Sequence, residues 1–575
     1  MTLDLIIRGG DVYDGLGSAP QRLDIGVKAG KIVALEANLA GEAAEVIDAT
    51  GRIVTPSFVD VHSHYDGQAT WDEVLDPSSS HGVTTVVMGN CGVGFAPVRP
   101  EGHRALIELM EGVEDIPGTA LTEGMTWGWE SFPDFLDALD ERRWTMDVAT
   151  QLPHGALRHY VTRGRGDGNA EATPDEIAEM ARLAGEAAKA GAFGFSTSRT
   201  LGHHTRDGRP VPGTFAHGEE LFAIGRAFAE GGGRVFEVAG AGIAQDDDPA
   251  IVAKELDWLG ELAAETGLTA TFIVLQHDAD PTRWRAEMDR MRAWRARGAK
   301  VIPLVAARPF GVLWGWDVRH PFVGRPSYEA LAHLPLPERL VQLREPQIRA
   351  AILGETTVWP DAAEAAVGAL MTATLDRCTV LAGNPDYETP PEQMLGAIAA
   401  RAGKSLEAVA YDALTLNGGM LLLSMFNYTD ANHDALHEQL LDPDAVVGLS
   451  DGGAHCNAIC DASIPTYMLT HWARDRTRGD RLSLSDSIRR ITSQTADLYG
   501  FDDRGRIAVG KRADLNVIDF SALRLELPYA VNDLPAGGKR LVQGAVGYDA
   551  TVVAGQITRR RGRDTGARPG RLLRR

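Results

Sequence analysis

Hydrophobic and polar positions along the chain form two successive patterns. Residues 3–55 alternate short β-type runs with turns such as Gly9-Gly10 and Asp14-Gly15, which predicts a small β-rich segment. Beyond it, compact apolar runs alternate with amphipathic stretches, as expected where strands alternate with helices. The predicted strands are residues 53–61, 83–88, 147–152, 192–196, 234–238, 270–275, 300–305 and 445–449. Eight strands alternating with helices predict an α/β fold, a TIM-like (β/α)8 barrel.

The stretches between these strands carry helix signals. Thr173-Pro174-Asp175-Glu176 offers an N-cap residue, a proline at the first helical position and acidic residues in the first turn. Residues 177–184 continue amphipathically, so we expect a helix from residue 174. The seventh and eighth strands are separated by residues 310–444, far more than a usual connection. We interpret this segment as a largely helical insertion that covers the barrel mouth.

Composition narrows the class of protein. The chain has 575 residues, 44% of them hydrophobic, with a formal net charge of −22 and a pI of about 5.2. An acidic chain is a poor partner for nucleic acid or an anionic membrane, so we expect a soluble protein with neither as a partner. The expected partner is a small-molecule substrate. Only the end of the chain, residues 559–575, is basic, which predicts a solvated, partly disordered tail.

Cysteine usage and the chain start bear on the compartment. Four cysteines in so long a chain do not form a disulfide framework, which favours a reducing compartment. The first residues lack the charged and apolar regions of a signal peptide, and no apolar run of about 20 residues occurs. We therefore expect a cytoplasmic protein that does not span a membrane.

Two histidines follow the first predicted barrel strand. They belong to the run Val59-Asp60-Val61-His62-Ser63-His64. Side chains alternate faces along a strand, so His62 and His64 point the same way. Two imidazoles at the carboxyl end of a barrel strand make half of a metal site. The alternative is a pair of surface histidines, which an isolated HxH usually is.

Two further strand ends carry candidate chemistry. The second strand is followed by Gly89-Asn90-Cys91-Gly92, where Cys91 is either a buried apolar residue or a thiolate ligand. The eighth strand is followed by Ser450-Asp451-Gly452-Gly453, which is either a plain turn or a carboxylate at the end of the barrel where chemistry takes place.

Taken together, these motifs resemble the amidohydrolase superfamily. The resemblance rests on residues 54–64, on the opening residues 4–10 and 48–52, and on residues 500–517. It implies a barrel combined with a small β-sandwich domain built from both chain ends, residues 1–55 and 505–575, around a hydrolase barrel at 56–504. It also implies that Asp451 is the catalytic carboxylate and a metal ligand.

Within that superfamily, the chain looks like the D-aminoacylase branch, the N-acyl-D-amino-acid deacylases. The residues responsible are His62 to Asp66, Gly89 to Gly92, and the stretch 191–197, which contains no lysine. In that branch a cysteine bridges the metals in place of a carboxylated lysine, so the resemblance gives this role to Cys91.

Strand five departs from the branch, which usually places a metal-binding histidine there. Strand five carries Glu237, which either binds metal through oxygen or is a buried carboxylate bonded to a neighbour. Strand six ends in Gln276-His277, and either residue is in the register of the family's histidine. The metal ligands expected from sequence are therefore His62, His64, Cys91, Glu237, His277 and Asp451.

Several polar residues near other strand ends are candidates for binding substrate. Arg199 and His203 follow strand four, Arg308 follows strand seven, and His455 lies four residues beyond Asp451. An arginine at the barrel mouth can pair with a substrate carboxylate. The alternative for each arginine is an ordinary ion pair, and for His455 a loop histidine.

The predicted chemistry is hydrolysis of an amide by a metal-dependent enzyme. Thiolate, imidazole and carboxylate ligands suit Zn²⁺, as one or two ions. The resemblance implies an N-acyl-D-amino-acid deacylase that releases a carboxylic acid and a D-amino acid. One alternative is hydrolysis of another amide, such as a cyclic imide or ureide, and a second is a non-catalytic barrel that serves as a binding subunit.

Overall fold

The structure is a computed structural model that describes residues 2–243, 248–359, 362–416 and 419–575. Its first part is the predicted β-rich segment, with strands β1 (Leu3–Val12), β2 (Gln21–Lys28), β3 (Lys31–Glu36), β4 (Ala43–Asp48) and β5 (Ile53–Pro56). These strands form one half of a nine-stranded sheet, whose other half comes from the chain end.

The central part is a parallel sheet with helices between its strands. Its strands are β6 (Phe58–Asp60), β7 (Val83–Met88), β8 (Asp147–Pro153), β9 (Gly194–Ser198), β10 (Val235–Ala239), β11 (Thr269–Val274) and β12 (Val301–Val305). The helices are α1 (His103–Glu114), α2 (Gly118–Gly124), α3 (Phe132–Asp140), α4 (His154–Thr162), α5 (Pro174–Ala190), α6 (Gly218–Glu230), α7 (Pro249–Thr266) and α8 (Arg283–Ala296).

The helix predicted from residue 174 is α5. Thr173 caps it as expected: its side-chain oxygen accepts from the Glu176 backbone N–H, and the Glu176 carboxylate accepts from the Thr173 backbone N–H. This reciprocal pair satisfies two amide groups that the first helical turn leaves without partners.

The segment 310–444 contains both helices and strands. Strands β13 (Phe310–Trp314), β14 (Thr379–Leu381) and β15 (Met420–Phe426) form an antiparallel sheet of their own, with β15 in the middle. Helices α9 to α15 are Pro326–Glu329, Leu336–Leu343, Pro346–Gly354, Ala362–Thr374, Leu395–Ala402, Leu406–Leu416 and Asp434–Leu441. Much of the segment packs on a separate hydrophobic cluster that includes Trp314, Trp316 and Phe322.

Strand β16 (Val446–Val447) then returns to the parallel sheet, beside β12. The sheet therefore has eight parallel strands in the order β16-β12-β11-β10-β9-β8-β7-β6. Ser63 and Gly452 form an isolated parallel bridge, which brings the ends of the first and last strands together. Helices α16 (Ile464–Tyr467), α17 (Leu484–Arg490) and α18 (Ser493–Tyr499) follow, with a π-helical stretch at Met468–Asp475.

The end of the chain completes the nine-stranded sheet. The remaining strands are β17 (Leu515–Ile518), β18 (Arg524–Leu525), β19 (Tyr529–Leu534), β20 (Gly538–Val542), β21 (Ala545–Val546), β22 (Tyr548–Val553), β23 (Gln556–Arg560) and β24 (Arg563–Asp564). Strand β17 lies between β5 and β22, so it joins the two ends of the chain. Among the described residues, no helix combines the length and hydrophobicity needed to cross a bilayer.

One predicted strand, residues 53–61, is two strands in two sheets. Pro56 is the last residue of β5 and pairs with Leu515, whereas Phe58 begins β6 and pairs with Val83. Proline has no N–H to donate, so it ends the first ladder. The chain crosses from one sheet to the other at Ser57, whose N–H donates to the Asp514 carbonyl at 3.0 Å.

The prediction that the basic tail is partly disordered was wrong, although its residues 560–566 are exposed to solvent as expected. The last residues lie against strand β8: the Leu573 N–H donates to the Val148 carbonyl at 2.7 Å, and Leu572 is buried. Several charges of the tail pair with acids, as in the contacts of Arg574 with Asp137 at 2.6 Å and of Arg559 with Asp76 at 3.1 Å. These acidic partners are distant in sequence, so composition could not reveal them.

Candidate metal centre and its chamber

His62, His64 and Cys91 converge at the carboxyl ends of the first two parallel strands. Their ligand atoms all lie within 4.8 Å of one another, and all three residues are buried. The Cys91 sulfur is 3.4 Å from His62 Nε2. Nitrogen and sulfur ligands that share a tetrahedral zinc ion at about 2.0–2.3 Å are separated by roughly this distance. These three side chains therefore have the geometry of a partial ligand set for one metal ion.

Asp451 faces the same point from the end of strand β16. Its Oδ1 lies 3.3 Å from His62 Nε2 and 3.8 Å from His64 Nε2. Backbone bonds fix this approach, because the Asp451 N–H donates to the His62 carbonyl at 3.1 Å and the His64 N–H donates to the Gly452 carbonyl at 2.8 Å. Asp451 itself has a φ of 49°, in the left-handed region where strained residues at functional sites are found.

The loop after β7 is shaped to present Cys91. Cys91 has a φ of 56°, and its N–H donates to Glu237 Oε2 at 3.0 Å. Gly92 follows with a φ of 70°, and a Cβ there would come within 2.7 Å of the Ser198 backbone nitrogen. Only glycine fits that position without displacing strand β9. Glu237 thus holds the backbone of the cysteine, while its other oxygen, Oε1, is buried with no partner among the described residues.

Five buried carboxyls surround the two histidines. Burial raises the pKa of Glu237 to about 8 and that of Asp60 and Asp66 to about 7. Burial, together with repulsion between neighbouring carboxyls, holds the pKa values of Asp451 and Glu114 well above their usual range. So many desolvated acids are costly unless a positive charge balances them. A divalent cation among His62, His64 and Cys91 would supply that charge, so the donor set fits a metal ion.

A cavity of about 290 Å³, which we call the chamber, opens beside this group. On the side of the group its wall contains His62, His64, Cys91, Glu114, Thr200, Gly202, His203, Asp451 and His455. The apolar part of its lining consists of Val113, Ile243, Ile273, Leu275, Phe310, Gly311, Val312, Met425, Phe426, Leu449 and Ile459. Strands β13 and β15 supply part of this wall, so the segment 310–444 forms one side of the chamber.

Two of the four predicted substrate-binding residues lie at the chamber. His203 and His455 line it as expected of substrate-binding residues, and His203 Nδ1 is 3.0 Å from Ser198 Oγ. His455 Nε2 lies 3.7 Å from Glu114 and 3.9 Å from Asp451. Glu114, the last residue of α1, was not predicted: it ends a helix rather than a strand, and no sequence signal marks that position.

Strand six places its polar residues elsewhere. His277 is buried, and its ring packs edge-on against Phe426 at 5.2 Å between centroids, outside the group formed by His62, His64 and Cys91. The Gln276 side-chain amide donates to Asp430 Oδ2 at 3.0 Å. The structure therefore does not bring His277 to the other predicted ligands.

The two predicted arginines lie outside the chamber wall. The Arg199 guanidinium pairs with Glu255 at 3.1 Å. Arg308 pairs with Asp461 at 2.5 Å, donates to Ser463 Oγ at 3.0 Å, and lies 4.1 Å over the Tyr387 ring. Both partners are far away in sequence. These contacts support the alternative of an ion pair, in which each arginine holds loops of the fold together.

We expect Asp461→Asn to lower the free energy of unfolding by about 3–5 kcal/mol, because it leaves the buried Arg308 charge without its partner. Urea denaturation followed by fluorescence measures the change. Asp475→Asn is the matched control, since Asp475 pairs with Arg474 at the surface and should change stability by less than about 1 kcal/mol. Equal midpoints for the two variants would contradict the prediction.

A second group of potential ligands, Glu388, His433 and His471, lies apart from the chamber. Glu388 accepts from two nitrogens of the buried Arg476, each at 3.1 Å, and from the His433 backbone N–H at 2.8 Å. A guanidinium therefore already balances its charge. The group joins the segment 310–444 to the π-helical stretch at Met468–Asp475, and it needs no cation to do so.

The sequence is similar to those of known proteins over most of its length. The sequence model described as "Amidohydrolase family" matches residues 45–559. An uncharacterised protein of Mycobacterium tuberculosis is 28% identical over 595 residues, which cover 96% of this chain and 90% of that protein. N-acyl-D-glutamate deacylase of Alcaligenes xylosoxydans xylosoxydans is 28% identical over 525 residues, which cover 90% of this chain and 87% of that enzyme.

Solved structures share the fold. N-acyl-D-glutamate deacylase from Bordetella bronchiseptica, complexed with zinc and a phosphonate inhibitor, superposes with a TM-score of 0.66 at 24% identity, with 100% of both chains covered. A D-aminoacylase with a binuclear metal centre gives a TM-score of 0.65 at 23% identity, again over 100% of both chains. At such identities the likeness concerns the arrangement of the chain.

Proposed function

Because this chain belongs to the amidohydrolase family, we propose that it hydrolyses an amide with one metal ion held by His62, His64 and Cys91. Asp451 completes the ligand set. The observation that carries the proposal is the convergence of imidazole, thiol and carboxyl groups beside a chamber, at the strand ends where barrel enzymes carry their chemistry.

We propose one ion rather than two because Glu237 and His277 make other contacts. Glu237 binds the Cys91 N–H with Oε2, and His277 packs against Phe426. That leaves a complete ligand set for one ion and an incomplete one for a second. Thiolate, imidazole and carboxylate together favour zinc.

Each residue then has a defined part in the reaction. When bound, the ion polarises the scissile carbonyl and lowers the pKa of water toward ~7. Asp451 accepts a proton from the attacking water and delivers it to the leaving nitrogen, so the C–N bond breaks as an N–H bond forms. His203 and His455 line the chamber and hydrogen-bond the substrate there. The products are a carboxylic acid and an amine.

The architecture supports a proposal for the domains as well. We propose that the eight parallel strands close into a (β/α)8 barrel at 56–504, since the bridge between Ser63 and Gly452 joins its first and last strands. Residues 1–55 and 505–575 then form a small β-domain of the sandwich type. Residues 310–444 are the insertion that covers the barrel mouth and walls the chamber.

Metal removal tests the proposal directly. We expect about one zinc ion per chain in protein purified without chelator, and a loss of amide hydrolysis of at least 100-fold after dialysis against 1,10-phenanthroline. Zinc added back should restore the rate, and it should raise the temperature of unfolding because the ion binds only the folded chain. Elemental analysis, an amine-release assay and a thermal melt measure these effects. Full activity in protein with far less than one ion per chain would refute the proposal.

A further inference from the structure

The chamber wall bears on which amide is cleaved. We propose that the substrate is an uncharged amide with an apolar group next to the scissile bond, rather than an N-acyl amino acid with a free carboxylate. This inference rests on the proposed function, since it assumes that the chamber beside His62, His64 and Cys91 is where the amide binds.

More than half of the residues that line the chamber are apolar. Ile273 and Leu275 come from the end of strand β11, Phe310 and Val312 from β13, and Phe426 from β15. These side chains offer dispersion and desolvation but no hydrogen bonds, so they favour aliphatic or aromatic groups. The volume of about 290 Å³ lies at the lower end of ligand sites, which suits a small molecule.

No lysine or arginine lines the chamber among the described residues. The residues outside the described ranges contain neither type, so they cannot add one. Arg199 and Arg308, the nearest candidates by sequence, are committed to Glu255 and Asp461. A substrate carboxylate would therefore meet no guanidinium or ammonium in the wall.

The polar residues of the wall do not replace that cation. Asp451 and Glu114 are acids, which supply no positive charge in either protonation state. His455 already faces both of them, at 3.9 and 3.7 Å. The proposed ion contacts the scissile carbonyl, and His203 and His455 offer hydrogen bonds rather than the fixed charge of a lysine or arginine. A carboxylate elsewhere in this chamber therefore loses its hydration without gaining a charged partner, whereas a neutral group of the same shape loses nothing comparable.

The proposed substrate differs from the one stated in the name of the similar N-acyl-D-glutamate deacylase. Substrates of an N-acyl-D-glutamate deacylase carry two carboxylates. A site that leaves a buried charge unpaired strongly favours a neutral substrate over a charged one. We therefore expect kcat/KM for a neutral amide to exceed that of its carboxylate counterpart by at least 100-fold.

Matched substrates test the inference on the zinc-loaded, full-length enzyme. N-acetyl-2-phenylethylamine and N-acetylphenylalanine of both hands differ only in the carboxylate. We expect turnover of the neutral compound, with kcat/KM at least 100-fold above that of either enantiomer of the acid. Binding of the same compounds to Asp451→Asn, measured by calorimetry, should show the same order of affinity without turnover.

A charge introduced in the wall provides a second measurement. Val312→Lys places an ammonium on the partly exposed side of the chamber, and Val312→Met adds a side chain of similar length without charge. The ratio of kcat/KM for acid over neutral substrate should rise at least 10-fold in the lysine variant and stay unchanged in the methionine variant. Metal loading cancels in this ratio, since both substrates meet the same enzyme preparation.

The outcomes distinguish the two proposals. If N-acetylphenylalanine of either hand is the better substrate, or if Val312→Lys leaves the ratio unchanged, the inference about charge is wrong while amide hydrolysis stands. If the zinc-loaded enzyme releases amine from none of the compounds and Asp451→Asn binds none of them, the chamber is not the amide site and the proposed function fails with it.

Discussion

Asp451→Asn is expected to lower kcat about 10²–10⁴-fold while the protein stays folded. The carboxylate faces both histidines, at 3.3 and 3.8 Å, and is the group we assign to proton transfer, which contributes about this much to a rate. Asparagine keeps the size and most of the hydrogen bonds, but it cannot accept the proton of the attacking water. The measurement is kcat together with metal content and a thermal melt.

A matched control is Asp289→Asn in helix α8, where the exposed carboxylate pairs with Arg292. It should leave kcat unchanged. If a folded, metal-loaded Asp451→Asn enzyme keeps a tenth or more of the rate, another group is the base. Glu237 is then the first residue to examine, because it lies beneath Cys91 with one buried oxygen that has no partner among the described residues.

Cys91→Ser should remove most of the bound metal and reduce kcat/KM by at least 100-fold. Serine has nearly the same shape, but its hydroxyl does not ionise as a thiol does and is a weak ligand for zinc. Substitution of a residue that hydrogen-bonds a metal ligand typically lowers metal affinity or activity about 10–100-fold. Substitution of the ligand itself should have a larger effect. Elemental analysis and kinetics at saturating zinc measure both effects.

Cys378→Ser controls for the substitution itself. Cys378 is equally buried but belongs to the hydrophobic cluster of the segment 310–444, and its sulfur contacts the Thr374 carbonyl. This variant should keep its metal and its rate, with at most a moderate loss of stability. Metal content that stays at one ion per chain in Cys91→Ser would show that the thiol is not a ligand.

The parallel strands were predictable because each is a compact apolar run followed by polar residues. Seven of the eight predicted runs agree with the observed strands within two residues at each end. The exception, residues 53–61, reads as one apolar run because both of its halves are buried, each in a different sheet. Apolar periodicity reports burial and does not say which sheet a strand joins.

The family resemblance read from the motifs around His62, Cys91 and Asp451 is confirmed by the match over residues 45–559. The roles of the individual residues stay predictions, although the structure brings His62, His64, Cys91 and Asp451 together. Sequence reasoning could not foresee which arginines were already paired. Arg308 and Asp461 are separated by 153 positions, and only the folded chain shows that the guanidinium is buried against that carboxylate.

The ligands and part of the apolar lining of the chamber belong to different parts of the chain. The ligands stand on the ends of the parallel strands, whereas Phe310, Val312 and Phe426 stand on a separate antiparallel sheet. Homologues can therefore differ within residues 310–444 and retain the same ligands. Recombination at residues 309 and 445 would exchange this part of the apolar lining, while Ile273 and Leu275 would stay with the parallel strands.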